Sequence, residues 1–135
     1  MMGQVDNQDY VQLQLLNQQL QDLDQSINQA NEQIEHALVA TQTLETLQTA
    51  QKDQELLIPL GAGSFLEVKA GSVDKVKLAV GANIVVDKDI SEAISSIKSQ
   101  LQELHVFQEK SIELYGQVVE RINQLQEQIE SKLKE

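Results

Sequence analysis

Few side chains in this sequence are of a kind that does chemistry. Gly61-Ala62-Gly63 could cradle a phosphate, but such a loop needs a helix N-terminus behind it. Ser64-Phe65-Leu66-Glu67-Val68 follows instead, a strand-like run with no Lys-Ser/Thr pair, so the glycines read as a hairpin turn. His36 and His105 are the only histidines. No carboxylate stands at a fixed spacing from them, and they read as solvated helix residues rather than metal ligands. Asp22/Asp24 and Glu32/Glu35 are carboxylate pairs. General acid work would require a pocket that perturbs their pKa, and long helices offer none. No cysteine is present to act as nucleophile, disulfide partner or thiolate ligand. The expectation is a chain with no catalysis, no metal and no cofactor.

The elements that hold these residues explain the lack. The 135 residues carry a net charge of −11, 21 glutamines being counterbalanced by only 3% aromatics. The charge argues against nucleic acid and against an anionic membrane surface. The longest apolar run, Leu56 to Leu60, is too short to span a bilayer, and no secretory signal is read at the N-terminus. The charge is uneven: residues 1–55 sum to −8, residues 56–89 to zero and residues 90–135 to −3. The chain therefore reads as arm, centre, arm.

Leu13, Leu16, Leu20, Leu23, Ile27, Ala30, Ile34, Ala37, Thr41 and Leu44 alternate steps of three and four. That spacing predicts a coiled-coil seam, and it rejects disorder as the meaning of the Gln richness. The same spacing returns at Ile90, Ile94, Ile97, Leu101, Leu104, Gln108, Ser111, Tyr115, Val118, Ile122, Leu125, Ile129 and Lys132. Asp89 and Glu92 are spaced as a capping box for the second arm. Between the arms, two short runs flank Gly61-Ala62-Gly63 and two more flank Gly81-Ala82-Asn83, predicting two β-hairpins. Pro59 cannot donate to a ladder, so its strand is an edge or turns its N–H side outward.

The predicted fold is α+β: a long antiparallel α-helical coiled-coil hairpin with two central β-hairpins forming an oligomerisation platform. Its parts are a helical arm over 5–54, hairpins over 56–88 and a helical arm over 90–134, taken as one domain. A hinge near residue 70 sets Leu16 against Leu125 and Ala30 against Ser111. Small or polar seam residues (Ala30, Ala37, Gln108, Ser111) predict a weak middle, with Gln108 marking an open segment slightly in preference to fixing register.

The order of elements, together with Leu57-Ile58-Pro59-Leu60-Gly61-Ala62-Gly63-Ser64-Phe65 and Val80-Gly81-Ala82-Asn83-Ile84-Val85-Val86-Asp87-Lys88, resembles the prefoldin family, and within it the α-type subunit. The short ends lean toward an archaeal member. The resemblance implies a cytoplasmic, ATP-independent holdase chaperone, assembled as a heterohexamer of two α-type and four β-type subunits. The subunit would pair with β-type subunits and a second α-type copy, and would pass unfolded polypeptide clients to a group II chaperonin. The platform residues would be Leu57, Ile58, Leu60, Phe65, Leu66, Val68, Val76, Leu78, Val80, Ile84 and Val86. Geometry, rather than any family motif, places client binding at the coil tip, on Met1, Met2, Val5, Tyr10, Val11, Leu13, Ile129 and Leu133. The competing readings there are seam packing and fraying. A scaffold or adaptor built on the same module, with no client holding, is the alternative function.

Overall fold

The computed structural model describes residues 7–71 and 74–134. The order is α1 (Asn7–Thr49), β1 (Glu55–Gly61), β2 (Ser64–Lys69), β3 (Lys75–Gly81), β4 (Ile84–Asp89) and α2 (Ile90–Lys134). The fold is two long helices with two antiparallel hairpins between them, β1–β2 and β3–β4. The chain divides into two compact units. One comprises Met1–Gln33 and Leu104–Glu135, the other Ile34–Glu103.

Both helices form because nothing in them stops the backbone ladder. The run from Gln4 to Ile58 has no Gly or Pro, and Leu, Gln and Glu keep their rotamer freedom in a helix. In α2, Gly116 is passed without a break; a Cβ there would meet nothing within 4 Å, so no close contact demands a glycine. The first arm was expected to continue to residue 54, but α1 ends at Thr49. Gln51 to Gln54 form a turn instead. Asp53 takes φ of 66°, and its N–H donates to the Ala70 carbonyl at 2.7 Å. A residue bound in that way cannot also continue the helical ladder.

In the first unit the two helices run antiparallel. Lys132 Nζ donates to Asp9 Oδ2 at 2.9 Å, and Gln108 Nε2 donates to Asn31 Oδ1. In the second unit Lys98 pairs with Glu45 at 3.0 Å. All three pairs centre within two residues of position 70, the hinge that the spacing predicts; a heptad slip would separate each of them. Every one of the ten predicted α1 seam positions, and of the thirteen on α2, is buried or half-buried. Leu125 is the most deeply buried large side chain, at 1% exposure.

In the middle of the seam, Ala30, Ala37 and Ser111 are buried. Gln108 bonds across to the other helix, which is the behaviour of a register-setting polar residue rather than an open segment. The buried Thr41 hydroxyl donates to the Ala37 carbonyl at 2.8 Å, within its own helix. At the start of α2, Ile90 N–H donates to the carbonyl of Asp74, the residue before β3, at 3.2 Å, so a backbone group from outside the helix satisfies the first orphan donor.

The hairpins are two copies of one design twenty residues apart. β1 and β3 are seven residues long, β2 and β4 six. Each pair slips register at the same place, Pro59/Gly61 and Ala79/Gly81. The turns match angle for angle: Gly61 and Gly81 have φ of 103° and 115°, Ala62 and Ala82 of 52° and 48°, Gly63 and Asn83 of 73° and 61°. Three consecutive left-handed residues explain why Gly and Asn sit in these turns.

Candidate functional site

Two surfaces hold the residues that the sequence marks out. The first is the end of the first unit where the start of α1 meets the end of α2. Tyr10 (51% exposed), Val11 (54%) and Leu133 (64%) are open to solvent there. Ile129 is buried and Leu13 half-buried, so these two belong to the seam and are not offered to a ligand in this conformation. Met1, Met2 and Val5 lie outside the described residues. Leu15, 64% exposed one turn along α1 from Val11, was passed over because it falls off the seam. Exposed positions at the end of a coil were the signal for it.

The Asp9–Lys132 pair closes the seam at this end. The Asp9 side chain is only 14% exposed, and Lys132 is 37%. The pairing was legible in the spacing: Asp9 lies four residues before Leu13 and so continues the seam, while Lys132 is itself a seam position. A charged pair in a partly shielded last layer holds the helix ends in register. The apolar side chains beside it are therefore presented on ordered helix rather than on a frayed tail.

The second surface is the pair of hairpins in the second unit. Leu57, Leu60, Phe65, Leu66, Val80 and Ile84 are exposed, each by half or more. Ile58, Val68, Val76, Leu78 and Val86 are half-buried. Val85, 55% exposed, joins them and was not singled out from the sequence. A two-stranded sheet covers only one face at best, so alternate residues on each strand stay uncovered. The inner side chains line an open, mostly apolar groove of about 650 Å³ between α1, β1 and β3, with Val39, Leu44, Ile58, Leu60, Leu78 and Ile97 among its walls. A smaller hollow of about 270 Å³ lies in the first unit, where Phe107 and Leu104 flank Ala30.

These surfaces differ in charge as well as in shape. The hairpin block is neutral while the residues before it sum to −8. Within it Lys77 pairs with Asp87 at 3.0 Å across β3 and β4, well exposed. His36 and His105 are both exposed, and no group of three His, Cys, Asp or Glu among the described residues is placed to hold a metal ion. No described helix is long and apolar enough to cross a membrane. Exposed apolar side chains thus gather at a helix-pair end and on the two hairpins.

Residues 16–135 match the family model of the prefoldin subunit. The prefoldin subunit alpha of Methanococcoides burtonii is 34% identical over 136 residues, covering 98% of this chain and 91% of that protein. The prefoldin subunit alpha of Methanococcus vannielii is 33% identical over 95 residues; the match covers 70% of this chain and spans 63% of that protein. Among solved structures, a chain of filamentous PFD from Methanocaldococcus jannaschii superposes with a TM-score of 0.67 at 23% identity, over 86% of this chain and 96% of that one. The prefoldin beta subunit from Thermococcus strain KS-1 does so with a TM-score of 0.59 at 18% identity, over 99% of both. At those identities the two structures speak to the fold.

Proposed function

Given that this chain belongs to the prefoldin family, we propose that it is a subunit of an ATP-independent holdase. The relatives from Methanococcoides burtonii and Methanococcus vannielii are α-type subunits, and prefoldin is a chaperone family rather than an enzyme family. The observation that carries the reading is the solvent-exposed trio Tyr10, Val11 and Leu133 beside the Asp9–Lys132 closure. Exposed apolar side chains on an ordered support bind extended, non-native chain without demanding a sequence. Met1, Met2 and Val5, outside the described residues, are assigned to the same client site from their place in the sequence alone. The chain works in the cytoplasm as one functional module, with no cofactor.

The hairpins supply the partners. Open strand edges and uncovered apolar faces are a liability unless another subunit pairs with them. The assembly is a heterohexamer of two α-type and four β-type subunits, the platform being built from the exposed and half-buried hairpin residues. It delivers its clients to a group II chaperonin, and the acidic first arm steers that encounter toward a basic surface, as charge complementarity raises association rates.

The test is aggregation of a chemically unfolded model protein, followed by light scattering, in the presence of the assembled complex. Replacing Tyr10, Val11 and Leu133 together by Ser should weaken suppression several-fold while native mass spectrometry shows the same assembly. Unchanged suppression by the triple variant removes the tip as the client site. An assembled wild-type complex that suppresses nothing supports a scaffold role instead.

A further inference from the structure

We propose that the flank of the helix pair at Phe107 is a second polypeptide-binding site, away from the coil end. It takes an uncharged, apolar segment of extended chain. One side chain seats beside Phe107, and the amides of Gln29 and Gln33 meet the main chain. This rests on the holdase reading and adds to it a place and a class of segment.

Two rows of residues define the flank. Gln12, Gln19, Ser26 and Gln33 stand at seven-residue steps on α1, and Phe107, Leu114, Arg121 and Gln128 do so on α2. A seven-residue step returns to nearly the same face of a helix. Ser26, Gln33 and Phe107 line one hollow, so the rows border the same side of the pair, and all eight residues belong to the first unit. Neither row contains an acid, in a chain whose net charge is −11. Glu113, Glu120 and Glu127 keep a separate row on α2. An apolar segment can therefore lie on this flank without stripping water from a carboxylate, which would be costly.

The hollow measures about 270 Å³, with Ser26, Gln29, Ala30, Gln33, Leu104 and Phe107 for walls. Small-molecule sites run to roughly 300–1,000 Å³, so this one suits a side chain better than a cofactor. Phe107 is 48% exposed and Leu114, one heptad on, is 39%. Each Gln amide offers both donors and an acceptor, the complement of a peptide N–H and C=O. Gln18 and Gln108 use their amides within the protein. Ser26, Gln29 and Gln33 make no side-chain hydrogen bond among the described residues. A bound helix would bring main-chain groups already satisfied, whereas an extended chain brings them free. The spacing agrees. Phe107 and Leu114 lie about 10 Å apart along the axis, at about 1.5 Å per residue. Three residues of polyproline-II chain, a major conformer of unfolded polypeptide, cover about 9 Å and return the side chain to the same side.

The experiment uses the assembled complex and a short peptide of Ser, Gly and Gln carrying two photo-leucines three residues apart. The peptide is held well below saturation, so that cross-link yield tracks affinity, and the sites are read by mass spectrometry. On this chain, cross-links should map to residues 26–33 and 104–114. Phe107→Gln should lower that yield about fivefold or more, while Glu113→Gln, on the acidic row, should leave it unchanged. Yield at residues 10–15 and 129–133 should stay constant in both variants, which a misfolded subunit would not allow. Cross-links confined to residues 10–15 and 129–133, or an unchanged flank yield in Phe107→Gln, overturn the flank site and leave the holdase reading standing. No cross-link anywhere on the complex, together with no suppression of aggregation, removes both.

Discussion

Leu125→Ala tests how the seam is held. Leu125 is 1% exposed and lies between buried Ile122 and Ile129, with buried Val118 one heptad before it. The substitution removes three carbon atoms from that site. At about 0.8 kcal/mol per buried methylene, the transfer loss alone is about 2.4 kcal/mol. A two-helix seam is open on its flanks and closes over part of the cavity, so the total stays near the low end of the known range, about 2–3 kcal/mol. At 1.4 kcal/mol per factor of ten, local opening becomes about 30- to 150-fold more frequent. Amide hydrogen exchange reads this directly, residue by residue. Protection should fall by that factor over Val118 to Ile129, with smaller changes in the hairpins. Leu15→Ala is the control: the same atoms leave a side chain that is 64% exposed, and the effect should stay within about 0.5 kcal/mol. A loss of protection below threefold for Leu125→Ala, or an equal effect from Leu15→Ala, refutes the burial argument.

Two further outcomes follow from local geometry. Lys132→Gln should release the last turns of both helices, raising exchange at Asp9 to Leu13 by a few-fold; because Lys132 is over one-third exposed, the stability loss should not exceed about 1 kcal/mol and should shrink in high salt. In the second hairpin turn, Gly81→Ala should cost about 1–2 kcal/mol on thermal unfolding and Ala82→Gly should stabilise by up to about 1 kcal/mol, since both residues are left-handed and a Cβ at Gly81 would touch nothing.

Much of the fold was legible because a seam is a periodic object. Thr41 and Lys132 are polar, yet their place in the 3-4 spacing correctly marked them as shielded positions. The hairpins were legible because Gly61, Gly63, Gly81 and Asn83 are residue types that positive φ selects. What could not be read were partnerships set in three dimensions. Gln108 bonds to Asn31, a residue off the seam that no spacing rule would pick. The Ile90 N–H donates to a carbonyl sixteen residues away, a partner that no local spacing around Asp89 and Glu92 indicates. At the coil end, proximity to the chain ends picks out Tyr10, Val11 and Leu133, which are exposed, together with Leu13 and Ile129, which the seam holds.

The matched hairpins carry one more consequence. Each closes at its base with a backbone bond, Ala70 N–H to the Gln54 carbonyl and Ile90 N–H to the Asp74 carbonyl. Chain that enters such a unit leaves it beside the point of entry. A segment of this kind behaves as a cassette: it can be duplicated, deleted or exchanged without lengthening the path between its flanks. Since the turn angles coincide while the strand residues do not, the backbone mould and the surface chemistry are free to vary separately. Transplanting the second hairpin into the place of the first would keep the mould and exchange Leu57, Pro59 and Phe65 for Lys77, Ala79 and Val85.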